Sequence, residues 1–274
     1  MSTSTSLRRP WPRKRASGCK RRMVQRAAID RRAPLAETQV MTQASPSDDA
    51  LTAAMRSAVA LERDALDALA AGLGADALSA VRLMAGVKGR VICAGIGKSG
   101  HVARKIAATL ASTGTPAQFV HPSEASHGDL GMITPDDCVL ALSKSGETRE
   151  LGDMIAYCRR FAVPLLGMTA KPDSTLAKGS DILLLIPDAP EACGETRAPT
   201  TSTTLMMAYG DALAIGLIEA RGFTASQFAR FHPGGALGSA LSKAEDLMHA
   251  GAAMPLISAG AAMGDALIEM SQKG

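Results

Sequence analysis

The stretch that decides the fold reads Val139-Leu140-Ala141-Leu142-Ser143-Lys144-Ser145-Gly146-Glu147-Thr148-Arg149-Glu150. Its first four residues are apolar and predict a buried strand, and the polar segment Ser143 to Thr148 predicts a turn. A helical pattern begins at about Arg149. The first N–H groups of a helix lack intrahelical partners, so a hydroxyl-rich turn at this point favours an anion such as phosphate. A plain N-cap by Ser145 or Thr148 explains the same turn without a ligand.

Short apolar runs alternate with helical patterns from Arg90 onwards, which is typical of parallel strands joined by helices. We therefore predict an α/β fold of three layers, a doubly wound sheet of five parallel strands between helices. Ligands of such sheets bind outside the carboxyl ends of the strands, so the segments that follow strands are the candidate site. The predicted strands are 91–94, 118–120, 139–142, 164–168 and 182–186.

The turn Gly95-Ile96-Gly97-Lys98-Ser99-Gly100 follows the first predicted strand and opens a helix. Its glycine spacing matches a dinucleotide fingerprint, but no acid stands at the end of the second strand to bind a ribose. The spacing also differs from that of a P-loop. Lys98 could hold a phosphate or stabilise a developing oxyanion, and a solvated surface lysine is the alternative.

A second hydroxyl cluster, Thr200-Thr201-Ser202-Thr203-Thr204, opens a helix after the fifth predicted strand. Five hydroxyls exceed what one N-cap requires. Because this cluster and the Ser143–Thr148 turn share one edge of the predicted sheet, together they predict a site for a phosphorylated small molecule.

Titratable side chains also follow predicted strands. His121 and His127 lie in the loop after the second strand, Glu150 and Glu191 follow the third and fifth, and His232 precedes a glycine-rich turn. Each alone is more often a surface residue. A carboxylate and an imidazole beside a phosphate pocket would suit proton transfer at a carbon next to a carbonyl.

The positive net charge of the chain comes from its N-terminal end. Residues 1–32 hold eleven Lys and Arg residues and one acid, so residues 33–274 carry a net charge of about −6. We predict that residues 1–45 are a disordered basic extension. Such an arm binds nucleic acid electrostatically, or it is an upstream extension from a mistaken start before Met41, which we favour.

The composition of the chain argues against several other classes of protein. Aromatic residues make up 3% of the chain, which argues against base stacking. Five cysteines without a C-x-x-C pair predict reduced thiols and a cytoplasmic protein. No apolar run reaches the roughly 18 residues of a transmembrane helix.

Several of these motifs, in this order, resemble the sugar isomerase (SIS) domain family and, within it, the arabinose-5-phosphate isomerases. The resemblance covers residues 90–241, so the SIS domain is predicted over 46–243 with its core at about 88–222. Residues 244–274 resemble the start of a truncated CBS domain, beginning at Glu245-Asp246-Leu247-Met248-His249. In this segment we predict a helical turn at 245–248, a strand at 255–257 and a helix at 263–271. The matching pieces are 97–101, 111–116, 127–132, 145–147, 191–193, 198–204 and 232–238.

The resemblance implies interconversion of D-arabinose 5-phosphate and D-ribulose 5-phosphate, a homotetramer, and no required cofactor. It implies a zinc ion at His121 that the chemistry does not need. The implied catalytic residues are Lys98, Glu150, Glu191 and His232. The expected substrate contacts, from the hydroxyl clusters and the resemblance, are Ser99, Gly114, Thr115, His127, Ser143, Ser145, Thr148, Thr201, Ser202 and Thr203.

The sequence departs from the family pattern at a few positions. Gly194-Glu195-Thr196-Arg197 follows Cys193 where Pro-Leu-Gly-Leu is usual, and Lys144 stands where Asn is common. Two alternatives therefore stay open. One is an isomerase of another sugar phosphate, such as a heptose or hexulose phosphate, and the other is a non-catalytic sugar-phosphate sensor, which the basic extension favours.

Overall fold

The computed structural model describes residues 45–232 and 248–273. The predicted basic extension, apart from Ser45, lies outside the described residues. So do the Pro233-Gly234-Gly235 turn and most of the predicted helical turn at 245–248.

Five parallel strands form the sheet, in the order β2-β1-β3-β4-β5. The doubly wound parallel sheet predicted from the sequence is therefore confirmed. The predicted strand ends shift by one residue at most of the termini, because pairing with a neighbour extends or trims each run. The strands are β1 (Val91–Gly95), β2 (Ala117–Phe119), β3 (Cys138–Leu142), β4 (Leu165–Thr169) and β5 (Ile182–Leu185).

Helices connect these strands and precede and follow the sheet. The loop predicted after β2 contains a short helix, and the helix predicted from residue 149 begins with a 3-10 turn. The helices are α1 (Asp48–Gly72), α2 (Ala75–Gly86), α3 (Gly97–Ser112), α4 (Pro122–Ala125), α5 (Gly152–Phe161), α6 (Thr175–Gly179), α7 (Thr201–Arg221), α8 (Ala225–Phe231) and α9 (Met263–Lys273), with 3-10 turns at Asp129–Met132, Arg149–Leu151 and Gly251–Ala253.

Each face of the sheet is covered by its own apolar core, which gives the three predicted layers. Alternate residues of one strand enter different cores, as in β1, where Val91 and Cys93 face one side and Ile92 and Ala94 the other. Helices α1, α2, α3 and α7 cover the first face, and α4, α5 and α6 cover the second. Because β1 and β3 are buried on both faces, only the ends of these strands can offer groups to a ligand.

The C-terminal segment differs from its prediction. Residues 255–257 form no strand in the described chain, whereas the helix predicted at 263–271 is present as α9. Among the described residues this apolar run has no neighbouring strand to pair with, so its pattern alone could not make it a strand. The described structure does not establish the predicted CBS element.

No single described helix is long and apolar enough to cross a membrane. Helices α1 and α2 pass the same length and composition criteria only as a pair bent by 75°. The described cysteines are free thiols, and Cys93, Cys138 and Cys158 are buried.

Helix α7 packs closely against α3 at Gly210, where the space next to the glycine is filled by Ile106. We expect Gly210→Ala to lower the free energy of unfolding by about 1–3 kcal/mol, because the added methyl group overlaps a fully buried side chain. Chemical denaturation measures the change.

Gly152→Ala is the matched control, since this helical glycine has open space around it. Its free energy of unfolding should be unchanged or slightly higher. An equal loss in both variants would show that overlap with Ile106 is not the cause.

Candidate active site

The candidate site lies at the carboxyl ends of β1 and β3, where the strand order reverses. Helix α3 leads from β1 outward to β2, and the chain then returns to place β3 on the other side of β1. Gly95 and Leu142, the last residues of the two strands, are paired in register. The turns after them therefore start side by side, at the position where doubly wound sheets bind ligands.

The turn after β3 is held in shape by its own hydroxyls. Ser143 is buried, and its Oγ accepts a hydrogen bond from the Gly146 N–H at 3.0 Å and lies 2.8 Å from Thr148 Oγ1. Ser145 Oγ accepts from the Glu147 N–H at 3.2 Å and keeps its own proton for a ligand. Ser143 shapes the turn, whereas Ser145 and the open side of Thr148 are available for phosphate oxygens.

A second set of contacts fastens this turn to α6. Gly146 has φ +66° and lies against Ser174, so a side chain there would be strained and would overlap. The Glu147 carboxylate accepts from the Thr175 N–H and hydroxyl, both at 2.7 Å. These two hydrogen bonds lower the pKa of Glu147. Glu147 thus caps α6 and holds the turn rigid.

Lys98 and Glu150 stand on the two sides of the switch point. Lys98 is in the first turn of α3, after β1, and its side chain is exposed. Ser99 follows it, half-buried. Glu150 lies in the 3-10 turn before α5, and buried Leu151 packs that turn into the core. Within the described residues the Glu150 carboxylate accepts no side-chain hydrogen bond and is exposed, so it is open to a ligand.

Glu191 is placed quite differently. It lies in the loop after β5, and its carboxylate is held against the start of α7. Its side chain is 7% exposed, and Oε1 accepts from Lys144 Nζ and Ser202 Oγ, both at 2.6 Å. Oε2 accepts from the N–H groups of Thr200 at 2.8 Å and Ser202 at 3.2 Å. Burial alone would raise the pKa of Glu191, but these hydrogen bonds outweigh it and lower the pKa to about 2. Because a carboxylate with so low a pKa is a weak base, Glu191 is poorly matched to general base catalysis.

The second hydroxyl cluster is therefore largely engaged within the protein. Ser202 and Thr200 hold Glu191, and Thr203 Oγ1 donates to the Thr200 carbonyl at 2.8 Å. Thr201 Oγ1 is buried without a partner among the described residues, so a ligand or water would satisfy it. The expected phosphate contacts of this cluster stay predictions, and in this structure a carboxylate occupies its strongest donors.

The two histidines of the loop after β2 lie at the same edge. Helix α4, which His121 caps, packs against the 3-10 turn that carries Glu150. His127 is exposed in the turn after α4. His121 Nδ1 accepts from the Ser123 N–H at 3.3 Å. No cluster of three His, Cys, Asp or Glu side chains occurs in the described residues, so His121 alone does not fit a resident zinc site.

Three predicted site residues lie at the opposite edge of the sheet within one chain. Gly114 and Thr115 precede β2, so they sit at its amino end, and the Phe223 ring fills the space beside Gly114. Phe223 stacks with Phe231, with ring centroids 6.0 Å apart, and His232 follows. The expectation that all predicted residues meet in one site is therefore not met within a single chain, because parallel strands separate segments that precede them from segments that follow them.

The chain matches the SIS domain family model over residues 84–216. It is 54% identical over 217 residues to the arabinose 5-phosphate isomerase KdsD of Pseudomonas aeruginosa, covering 79% of this chain and 67% of that one. It is 48% identical over 216 residues to the enzyme of the same name from Escherichia coli K12, covering 78% and 66%. The chain belongs to the SIS domain family. It spans about two thirds of the length of these relatives.

Solved structures agree with this assignment. The structure of the protein c3406 from E. coli CFT073, solved as a ligand complex, has a TM-score of 0.66 and 36% identity, covering 69% of this chain and 100% of that one. A sugar-phosphate isomerase structure from Listeria monocytogenes has the same TM-score at 31% identity and the same coverage. The five-stranded sheet is therefore that of a SIS domain.

Sequence reasoning missed two contacts that define this SIS site. Lys144 reaches Glu191 across β4, and Glu147 caps α6. No local spacing predicts either contact, since the partners are 47 and 28 residues apart. The unusual lysine at position 144 was the one visible signal.

The low pKa of Glu191 predicts acid-dependent stability of the SIS domain. A carboxyl group with a lowered folded-state pKa stabilises the fold above its ordinary pKa of 4.5 and loses that effect as pH falls towards 2. We expect Glu191→Gln to be less stable than wild type at pH 6, and the gap to narrow steadily between pH 5 and 2. Denaturant unfolding across this pH range measures the gap.

Glu195→Gln is the control, because Glu195 is exposed in the same loop. Its stability should follow wild type throughout. A gap for Glu191→Gln that stays constant with pH would contradict the assignment of a low pKa to Glu191.

Proposed function

We propose that the chain interconverts D-arabinose 5-phosphate and D-ribulose 5-phosphate, an aldose–ketose isomerisation that feeds Kdo and lipopolysaccharide biosynthesis. One observation carries the proposal. An exposed carboxylate and a lysine flank a rigid hydroxyl turn at the switch point of a chain that is 54% identical to an arabinose 5-phosphate isomerase. Because the chain spans about two thirds of that relative's length, the activity of the whole protein is itself part of this proposal.

The phosphate of the sugar would bind at the Ser143–Thr148 turn. The open hydroxyl of Ser145 and the helix start after the turn supply donors, and the partial positive charge of the helix terminus favours an anion. The contacts of Gly146 and Glu147 with α6 keep these donors in place before the ligand arrives. A prearranged donor set reduces the ordering that binding requires.

Glu150 is the proposed base that moves a proton between C1 and C2. Taken from C2 of the aldose, the proton leaves a cis-enediol, and its return to C1 gives the ketose. Lys98 would stabilise the negative charge of the enediolate, an effect worth about 2.7–4 kcal/mol where a comparable donor has been removed elsewhere. His127 and His232 would assist ring opening and carry the oxygen-bound proton between O1 and O2.

Neither a cofactor nor a metal is needed for this scheme, because proton transfers alone balance the reaction. We propose that a zinc ion at His121, if bound, is not required or is inhibitory. The cytoplasmic location and the absence of nucleic acid from its partners stay predictions.

Deuterium exchange tests the proposed reaction directly. Ribulose 5-phosphate incubated with the protein in D₂O should yield arabinose 5-phosphate that carries deuterium at C2, detected by NMR. Binding without exchange would favour a sugar-phosphate sensor or an isomerase of another phosphosugar. In the same assay Glu150→Gln should lower kcat by about 10²–10⁴, the usual contribution of a general base. Asp153→Asn, an exposed acid in the first turn of α5, should leave kcat near wild type.

We also propose that the active protein is a homotetramer in which neighbouring copies complete each site. Gly114, Thr115 and His232 lie at the edge opposite Glu150 in one chain, so a second copy would bring the two sets together. Helix α1 offers an apolar stripe for such contacts, with Leu51, Met55 and Val59 exposed by 47%, 63% and 68%.

Mixing two inactive variants tests the shared site. Glu150→Gln and His232→Asn subunits, denatured together and refolded, should recover about a quarter of wild-type activity, because a quarter of the sites in a randomly mixed symmetric assembly receive both intact residues. Each variant refolded alone is the control. No recovery in the mixture, with assembly intact by light scattering, would place His232 and Glu150 in the same subunit's site.

A further inference from the structure

Lys144 links the turn after β3 to the loop after β5. Its Nζ donates to Glu191 Oε1 at 2.6 Å and to the Ala189 carbonyl at 3.4 Å. The lysine side chain is 33% exposed, whereas that of Glu191 is 7% exposed. A charge-assisted hydrogen bond between a partly shielded pair is stronger than one on the open surface.

The backbone of Lys144 is fixed at the end of β4, the strand between β3 and β5. Its carbonyl oxygen accepts from Thr169 Oγ1 at 3.0 Å and from the Ala170 N–H at 3.1 Å, at the end of β4. The side chain then extends over β4 towards Glu191. One residue therefore ties together the segments that follow β3, β4 and β5.

The charge of Glu191 makes this link important for an anionic ligand. The carboxylate sits on the first turn of α7, at the same edge as the turn that would bind phosphate. A sugar phosphate carries a charge of about −1.5 to −2 at neutral pH, and a nearby uncompensated carboxylate would repel it. Lys171, another lysine of this edge, pairs with Asp188. Lys144 is the cation that contacts Glu191 among the described residues.

We propose that Lys144 is a positioning residue that holds Glu191 on the first turn of α7, cancels its charge, and so sets the affinity of the neighbouring turn for a sugar phosphate. The inference rests on the proposed function, because it concerns binding of that substrate class at that site. Lys144 acts through Glu191 and need not touch the phosphate.

Binding of an inert analogue separates affinity from catalysis. 5-Phospho-D-arabinitol has no carbonyl group, so it cannot be isomerised, and calorimetry gives its Kd. We expect Lys144→Met to raise this Kd about tenfold, Lys144→Arg to stay within about twofold of wild type, and KM for ribulose 5-phosphate to rise in parallel with Kd. Lys171→Met is the matched control and should leave Kd unchanged. Lys144→Gln replaces Lys144→Met if the latter does not fold by circular dichroism.

The Glu191→Gln background tests whether Lys144 acts through Glu191. In the double variant Lys144→Met/Glu191→Gln both charges are removed and the pair is again neutral, so Kd should return to within about twofold of wild type. A double variant whose Kd stays about tenfold above wild type would show that Lys144 binds the phosphate directly and would overturn the positioning role. An unchanged Kd in the single Lys144→Met variant would overturn the inference as well.

Wild-type protein in the same experiment reports separately on the proposed function. If wild type binds the analogue but does not turn over ribulose 5-phosphate, the isomerase proposal fails while the Kd ratios still decide the role of Lys144. If wild type does neither, the proposed function and this inference fall together.

Discussion

The parallel pairing of β1 with β3 is the constraint on which the site depends. Five residue pairs align the two strands from Val91–Cys138 to Gly95–Leu142. Their amino ends are fixed by the buried carboxylate of Asp137, which accepts from the Arg90 N–H at 2.6 Å and from the Thr134 N–H at 2.7 Å. Because the amino edge is closed in this way and both faces are covered, the polar turns at the carboxyl edge are where this pair of strands can meet a ligand.

The fold could be predicted from the sequence because each strand is an apolar run that a helical pattern follows. A pattern of this kind can be recognised in the sequence without knowledge of tertiary contacts. The ends could not be placed to the residue, since Cys138 and Thr169 join their strands through pairing and not through their own pattern. Residues 255–257 show the converse, since an apolar run that meets no partner strand in the described part of the chain forms no strand.

The candidate site was predictable where position along a strand decides it. Lys98, Ser145 and Glu150 follow β1 and β3, and the structure places them on the two sides of the switch point. Gly114 and Thr115 were assigned by resemblance, yet both precede β2, and strand direction alone puts them at the other edge. The hydrogen bonds of Glu191 join segments far apart in sequence, so no spacing could reveal that its carboxylate is already engaged.

Glu150 after β3 and Glu191 after β5 therefore have different roles, which their surroundings determine. Glu191 accepts hydrogen bonds from two backbone N–H groups, a hydroxyl and a lysine, and these hold it ionised and immobile. Glu150 is exposed beside a rigid turn and has no such partners within the described chain. A base must accept a proton at each turnover, and the hydrogen bonds that stabilise the ionised form of Glu191 make it a weak base. Glu191 thus provides a fixed charge at this edge of the sheet, and Glu150 provides an exposed carboxylate that can react.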